Sequence, residues 1–290
     1  MAGRDRKKGH GMEEQEAALG RLVATVQESA KYRHVCPDLI RRLGEREMGK
    51  RRSLKEAVKE TKNTLHQIAG AYLERSPRYA RWIDEIRQAP DEVARKEVLR
   101  AILAEHASTF ERLPYLEAFY RTTLADIAPV RSVLDLACGL NPLTLPWMPL
   151  AEEGKVRYTA CDIYSDMMTF LEAFFAVSKI DGQARVADVA ETVPPVEADI
   201  ALVLKFLPVL EQTERGTALN WLRSLRARYL LVSFPTRSLG GHGRGRAEHY
   251  EGWFRELIEA ERWNAQRFLF PNELCFLIER EMPRHENESA

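Results

Sequence analysis

The stretch VLDLACGLNPLT, residues Val133–Thr144, is the most informative part of this sequence. It begins with apolar residues typical of a buried strand and passes directly into a turn around Gly139. Nucleotide-binding sheets place their ligand at such a junction. Dinucleotide sites need the G-x-G-x-x-G spacing, whereas here a single glycine is followed by Asn141 and Pro142. The stretch therefore predicts a ligand site without a pyrophosphate cradle.

Length and composition exclude several classes of protein. The chain has 290 residues, 45% of them hydrophobic, which suits one large domain or a domain with an appendage. No apolar run approaches about 18 residues, and the charged N-terminus lacks the apolar core of a secretory signal. The four cysteines are widely spaced without a C-x-x-C pair, so neither a metal site nor a disulfide framework is predicted. We expect a cytoplasmic monomer without membrane contact.

Charge is distributed unevenly along the chain although its net value is zero. Residues 21–80 contain 14 Lys and Arg against 7 Asp and Glu, while residues 1–20 are balanced at 4 against 4. A basic N-terminal module followed by an acidic body indicates contact with an anionic partner. A solvated helical surface is the alternative interpretation.

Residue patterns divide the chain into an N-terminal helical part and a part in which strands and helices alternate. Alternation of short β-rich runs with helical segments predicts right-handed crossovers and a parallel sheet covered on both faces. The last two strands, separated by Pro271 and Asn272, suit an appended hairpin. The predicted segments are a disordered tail over 1–18, a helical domain over 19–110, a connecting helix over 111–129, an α/β domain over 130–282 and a tail over 283–290.

Three acidic residues mark the carboxyl ends of the predicted strands, where ligands of such sheets bind. Asp135 lies in the first strand and is expected to position the turn. Asp162 ends the second strand and suits the two hydroxyls of a ribose, and Asp188 ends the third and suits an adenine amino group. Taken singly, each also suits the cap of a helix. As an ordered set with Gly139, they favour a nucleoside with an amino-acid tail, S-adenosylmethionine, and a Rossmann-like class I methyltransferase domain with a seven-stranded sheet.

Several segments resemble a known family, the aminoglycoside-resistance methyltransferases that modify guanine N7 in the decoding site of 16S rRNA. The segments are ESAKYRHVCPDLIRRL, LHQIAGAY, HASTFERL, LDLACGLNPLTL, LVLKFLPVLE and SFPTRSLGGHGRG, and the resemblance as a whole spans roughly 22–280. The resemblance implies a 16S rRNA (guanine(1405)-N(7))-methyltransferase that uses S-adenosylmethionine. It also implies that a helical N-terminal domain docks on the 30S ribosomal subunit.

The resemblance further implies a cofactor site. Arg112 is expected to bind the methionine carboxylate through a charge-assisted fork, and Tyr72 to close over the cofactor. Without the resemblance, His106 would be interpreted as a hydrogen-bonded histidine at a helix start, and Tyr72 as a core residue. Phe110 stands where several relatives have a charged residue. The full set is Tyr72, His106, Ala107, Ser108, Thr109, Phe110, Glu111, Arg112, Ala137, Gly139, Asp162, Asp188, Val189, Leu204 and Gln212.

The chemistry implied by the resemblance needs no general base, because guanine N7 carries an in-plane lone pair and no proton near neutral pH. Orientation is then the main task of the site. Lys205, after the fourth predicted strand, is expected to hold the target phosphate or the guanine O6, with neutralisation of Asp188 as the alternative. Phe206 suits either stacking on an extruded base or packing in the core.

Basic residues are the expected RNA contacts, and they should make docking dependent on salt. Phosphate contacts give position, so recognition of the assembled 30S subunit by shape is expected. The residues are Lys31, Arg33, Arg41, Arg42, Lys50, Arg51 and Arg52 in the N-terminal domain and Arg237, Arg244 and Arg246 in a glycine-rich loop.

Three other functions stay open at this point. An rRNA methyltransferase of this fold acting on adenine N1 at the same site would give a different resistance pattern. A non-catalytic ribosome-assembly factor would bind S-adenosylmethionine without turnover. A small-molecule methyltransferase is disfavoured by the basic N-terminal domain and by SFPTRSLGG.

Overall fold

The strand that begins the informative stretch is an inner strand, third of seven, in the sheet of the computed structural model of this chain. The order across the sheet is β3-β2-β1-β4-β5-β7-β6, and β7 runs antiparallel to β5 and to β6. The strands are β1 (Ser132–Leu136), β2 (Arg157–Asp162), β3 (Asp181–Val186), β4 (Ala198–Leu204), β5 (Ala227–Pro235), β6 (Asn264–Phe270) and β7 (Glu273–Glu279). The predicted α/β sheet with a closing hairpin is confirmed.

The structure describes residues 2–69, 77–152, 156–236 and 245–281, without the side chains of 2–11 and 69. The chain forms two compact units. The first comprises Met1–Pro77 with Ile163–Asp166 and Val186–Asp188, and the second comprises Arg78–Asp162, Met167–Arg185 and Val189–Ala290.

Within its described residues, the first unit is built mainly from the helices α1 (Ala2–Gln27), α2 (Pro37–Met48) and α3 (Leu54–Ala69). Helix α2 starts at Pro37, because proline has no N–H to leave unpaired in a first turn. Helix α1 covers the segment expected to be a disordered tail. The alanine, glutamate and glutamine of that segment are strong helix formers although most of its described side chains are exposed, so polar composition was a poor guide there.

The remaining helices separate or flank the strands. Among the helices in the described part of the chain, none is both long and apolar enough to cross a membrane. They are α4 (Tyr79–Gln88), α5 (Glu92–Leu103), α6 (Ala107–Phe110), α7 (Leu116–Thr123), α8 (Ser165–Ser178), α9 (Leu207–Thr213), α10 (Ala218–Ser224) and α11 (Arg246–Ile258).

Helices α4 and α5 belong to the second unit, so the first unit ends before the boundary expected at residue 110. Trp82 of α4 is buried and meets Phe170 of α8 edge-on at 5.8 Å, and Tyr79 stacks on the same ring at 5.0 Å. An amphipathic pattern predicts that a helix buries one face, but it does not specify the partner of that face. The predicted connecting helix is shorter than expected, since α7 is flanked by two single 3₁₀ turns.

Strand register brings the carboxyl ends of the central strands to one edge of the sheet. Asp135 of β1 lies opposite Ala160 of β2 and Leu202 of β4. Asp162 is the last residue of β2, as predicted. Strand β3, however, ends at Val186, so Asp188 follows the strand instead of ending it.

Candidate cofactor and substrate site

The turn after β1 is held in an unusual backbone conformation. Ala137 and Gly139 both have left-handed φ angles, of 51° and 52°, and this conformation costs a non-glycine residue about 1–2 kcal/mol. Two hydrogen bonds hold the turn: the Cys138 N–H donates to the Cys161 carbonyl at 3.0 Å, and the Gly139 N–H donates to Asp162 Oδ2 at 2.9 Å. The turn and the carboxylate at the end of β2 are therefore one hydrogen-bonded unit.

The close approach of the His106 ring also requires a glycine at position 139. A Cβ atom at this position would lie 3.0 Å from Cε1 of the buried His106 ring, so glycine lets the turn approach the imidazole. Burial, and after it the positive charge of Lys205, lower the pKa of His106 to about 4. The ring is neutral at pH 7, and its Nδ1 lies 3.0 Å from the Ser108 hydroxyl.

Arg112 is buried and forms an ion pair that the sequence did not predict. Its Nε and Nη2 donate to the two carboxylate oxygens of Glu273 at 3.0 and 2.6 Å, and its Nη1 donates to Asn141 Oδ1 at 3.0 Å. Burial alone would raise the pKa of Glu273, but the charges of Arg112 and Lys205 and the hydrogen bonds from Arg112 and Ser233 together outweigh it, so the pKa lies below the usual value. The guanidinium fork expected to bind a cofactor carboxylate thus binds Glu273, and two of its five N–H groups are left for another acceptor.

A network of polar side chains continues beneath the turn. Asp135 Oδ2 accepts hydrogen bonds from the Tyr158 hydroxyl at 2.6 Å and from Asn141 Nδ2 at 2.9 Å. Burial raises the pKa of Asp135 to about 7 against these hydrogen bonds. Its other oxygen, Oδ1, is buried without a hydrogen-bond partner in the described structure. A buried carboxylate oxygen without a partner is expected to accept a hydrogen bond from a donor outside the protein.

Lys205 lies directly after β4 with a left-handed φ of 60°. Its N–H lies 3.0 Å from the Ser233 carbonyl and 3.1 Å from the Ser233 hydroxyl oxygen, and that hydroxyl donates to Glu273 Oε1 at 2.5 Å. The ammonium donates to Glu111 Oε2 at 2.5 Å and lies 3.5 Å from the Ser108 carbonyl. Glu273 therefore supports both Arg112 and the backbone that presents Lys205.

Asp188 belongs to the first unit, where it forms an ion pair. Arg42 Nε donates to Asp188 Oδ2 at 2.7 Å, and the two side chains are 11% and 5% exposed. Arg42, predicted to contact RNA phosphate, therefore has its side chain buried against the Asp188 carboxylate. Lys205, for which neutralisation of Asp188 was the alternative, pairs with Glu111.

The HASTFER segment forms the short helix α6, and its side chains divide between interior and surface. The buried Thr109 hydroxyl donates to the Leu103 carbonyl at 2.6 Å, which anchors the helix. Ala107 and Ser108 are half-buried. Phe110, expected at the cofactor, is 58% exposed.

The other predicted contacts lie in β4 and in the segments around it. Val189 is buried and its carbonyl accepts a hydrogen bond from Trp221 Nε1 at 2.6 Å. Phe206 packs on the same indole with ring centroids 5.2 Å apart, which favours the core interpretation over base stacking. Leu204 is half-buried at the end of β4, and Gln212 is exposed on α9.

The predicted basic contacts of the first unit, apart from Arg42, reach the surface. Lys50 and Arg51 are 63% and 41% exposed and both bind Glu47, at 3.3 and 3.0 Å. Lys31, Arg33 and Arg52 are exposed, and Arg41 pairs with Glu16 at 2.7 Å. Arg246 is exposed at the start of α11. Tyr72, Arg237 and Arg244 lie outside the described residues.

The sheet order, the glycine turn after β1 and the carboxylate at the end of β2 define a class I methyltransferase domain. The match to a family model narrows this class. The model described as "Ribosomal RNA methyltransferase (FmrO)" matches residues 28–277. The chain belongs to this family of ribosomal RNA methyltransferases.

Relatives and solved structures agree with this assignment. A 16S rRNA (guanine(1405)-N(7))-methyltransferase of Frankia casuarinae is 40% identical over 92% of this chain and 95% of its own length. One of Serratia marcescens is 36% identical over 89% and 97%. The structure of 16S rRNA methyltransferase RmtF in complex with S-adenosyl-L-homocysteine has a TM-score of 0.78 at 32% identity, covering 91% of this chain and 98% of that one. The 16S rRNA methylase RmtB gives 0.75 at 30% identity, with the same coverage.

The ion pair of Glu273 provides a test of the buried network. We expect Glu273→Gln to lower the free energy of unfolding by about 3–5 kcal/mol, because it leaves the Arg112 charge buried without its counterion. Urea denaturation measures this loss. Glu117→Gln is the matched control: its 4.0 Å pair with Arg121 is exposed, and its loss should stay below about 1 kcal/mol. Equal losses in the two variants would contradict the role given to Glu273.

His106 predicts a particular dependence of stability on pH. Its pKa is about 4 in the folded chain against an ordinary 6.5, so the unfolded chain takes up the proton first as pH falls. Stability due to the neutral ring is therefore full above about pH 6.5 and is lost towards pH 4, by roughly 3 kcal/mol. The raised pKa of Asp135 changes the free energy of unfolding in the opposite direction, and it does so equally in wild type and in His106→Gln. The difference between these two proteins therefore isolates the contribution of His106. Parallel curves of unfolding free energy against pH would refute this.

Proposed function

We propose that this chain is an S-adenosylmethionine-dependent 16S rRNA (guanine(1405)-N(7))-methyltransferase that acts on the decoding site of the 30S subunit and confers aminoglycoside resistance. The observation that carries the proposal is the length of the likeness to enzymes of that name, which reaches 92% of this chain and 95% of such a relative. The hydrogen-bonded turn of Gly139 and Asp162 lies within residues 28–277, which the family model matches, and suits a nucleoside.

The residues around the turn fit S-adenosylmethionine. Gly139 leaves space where a Cβ would meet His106, and Asp162 is fixed by the backbone for a ribose. The buried, unpartnered Asp135 Oδ1 suits a donor such as an ammonium group, and Arg112 retains two N–H groups for a carboxylate. When bound, this cofactor supplies a methyl group on a sulfonium. The chain supplies the orientation of the target and the exclusion of water.

The state of the titratable groups suits attack by guanine N7, which has no proton to remove. His106 is neutral near pH 7 and buried against the turn, where it serves packing. Lys205 is paired with Glu111, so neither group is set up as a general base. Rate enhancement then depends on holding the nucleophile and the methyl group in line, which is worth several kcal/mol.

Lys205 is the proposed contact to the target nucleotide. Its ammonium is held by Glu111 and its backbone by Ser233, so its position is fixed before a substrate arrives. An ammonium has three N–H donors, of which Glu111 takes one at 2.5 Å. Another is available for the guanine O6 or the target phosphate. The left-handed φ of Lys205 is the kind of backbone strain that accompanies functional positions.

Docking is assigned to the basic surface of the first unit, defined by Lys31, Arg33, Arg41, Lys50, Arg51 and Arg52. Glu47 is shared by Lys50 and Arg51, and burial would raise its pKa while their hydrogen bonds lower it. Both cations keep further N–H groups for phosphate oxygens. Contacts of this kind position the enzyme on folded RNA without reading sequence.

Mapping the methylated atom tests the proposed function directly. Purified 30S subunits are incubated with the protein and S-[methyl-³H]adenosylmethionine, and the 16S rRNA is then reduced and cleaved with aniline. We expect chain cleavage at guanine 1405, because N7-methylguanine becomes labile after reduction. Label without that cleavage would indicate another atom, such as adenine N1. Absence of label from 30S, 16S rRNA and 70S would overturn the proposal.

Separate binding measurements test the division of labour between the two units. We expect Arg51→Ala/Arg52→Ala to weaken 30S binding about tenfold and to lower the salt slope by about 2, because two phosphate contacts are lost. Affinity for S-adenosylmethionine should be unchanged in this variant, whereas Asp162→Ala should abolish it. Arg81→Ala/Arg87→Ala removes the same charge from two exposed arginines of α4 and should bind 30S normally. Equal loss of cofactor affinity in Arg51→Ala/Arg52→Ala would refute this division.

A further inference from the structure

Phe110 is a large aromatic side chain on the surface, 58% exposed. Of the large hydrophobic side chains exposed in the described structure, the others are aliphatic. Single exposed apolar residues are ordinary in proteins, so exposure by itself indicates nothing. The position of this one in the site is what gives it meaning.

The short helix that carries Phe110 contacts the site at both ends. At its start, His106 packs against Gly139 of the cofactor turn. At its end, Glu111 binds the Lys205 ammonium at 2.5 Å, and the Ser108 carbonyl lies 3.5 Å from the same nitrogen. The exposed ring therefore projects from the segment that links the proposed cofactor turn to the proposed nucleotide contact.

Buried side chains anchor the chain on both sides of this ring. Thr109 anchors the helix through its hydrogen bond to Leu103, and Arg112 anchors the following residues through Glu273. Both anchoring side chains are buried, while the ring between them in sequence faces solvent. We therefore attribute the exposure of this phenylalanine to a partner outside the chain.

We infer that Phe110 stacks on the extruded target guanine and holds it beside Lys205. This inference rests on the proposed function and adds the platform on which the base lies. Stacking of a base on an aromatic side chain is favourable and offsets part of the cost of extrusion. Phe110 takes the stacking role that was one of the two predicted for Phe206, because the Phe206 ring packs on Trp221.

Charge strengthens this assignment. As N7 takes the methyl group, the guanine gains positive charge, and the face of a phenyl ring attracts a cation. Lys205 alone would repel that charge, but Glu111 neutralises it at 2.5 Å. The stacking interaction is therefore stronger in the transition state than in the ground state, so its loss should lower kcat as well as raise KM.

Kinetics of three variants on 30S subunits test the inference. We expect Phe110→Ala to lower kcat/KM by about 5- to 100-fold, as loss of one stacked base implies, with kcat itself reduced. Phe110→Trp should recover most of the rate, and affinity for S-adenosylmethionine measured by calorimetry should stay within about twofold of wild type. Leu269→Ala, at an apolar residue 55% exposed on β6, is the matched control and should behave as wild type.

The outcomes separate this inference from the proposed function. If wild type fails to methylate guanine 1405, the proposed function is wrong and the inference falls with it. If wild type methylates that guanine and Phe110→Ala is equally active, only the inference is wrong. A matching loss of S-adenosylmethionine affinity in Phe110→Ala would make the ring a cofactor contact and overturn the stacking role.

A photocrosslink gives a readout that does not depend on rate. With a benzophenone amino acid in place of Phe110, irradiation of the complex with 30S should crosslink the protein to 16S rRNA at or next to the target guanine. Reverse transcription locates the crosslink. A crosslink to a remote part of the rRNA, or none in a complex that forms normally, would overturn the inference.

Discussion

The carboxylate of Glu273, whose side chain has no exposure to solvent, binds Arg112 and Ser233 directly and reaches Lys205 through Ser233. It accepts the Arg112 fork, and it also accepts the Ser233 hydroxyl, whose oxygen lies 3.1 Å from the N–H of Lys205. A buried carboxylate is costly unless it is paired and fully hydrogen-bonded, so these partners and Glu273 stabilise one another. The HASTFER segment, the end of β4 and the start of β7 are thereby fixed together.

A second consequence of this arrangement is electrostatic. The two buried cations of the site are paired, Arg112 with Glu273 and Lys205 with Glu111, and His106 is neutral. These pairs leave little uncompensated positive charge to repel a guanine that becomes cationic during methyl transfer. The arrangement suits a nucleophile that already has a free lone pair, because Lys205 and Glu111 bind each other and are not set up to remove a proton.

Local features of the site could be predicted from sequence, and remote ones could not. Gly139 was expected to allow close approach, and the structure adds the reason, a left-handed turn against the His106 ring. Arg112 was expected to offer its fork to a cofactor, but its partner lies 161 residues later in the chain. Nothing in the local pattern around Glu273, an ordinary start of a strand, marks it as that partner.

The alternation of strands and helices and the turn after β1 could be predicted from the residues alone, because backbone periodicity and glycine geometry act over a few residues. The family was indicated by the resemblance of several segments to a known one. Which charges pair depends on the folded chain: Arg42, predicted to be an RNA contact, is the partner of Asp188, and Lys205 binds Glu111. The physical reason is desolvation. A charge excluded from water must bind whichever opposite charge the folded chain brings within reach, and sequence distance has no influence on that choice.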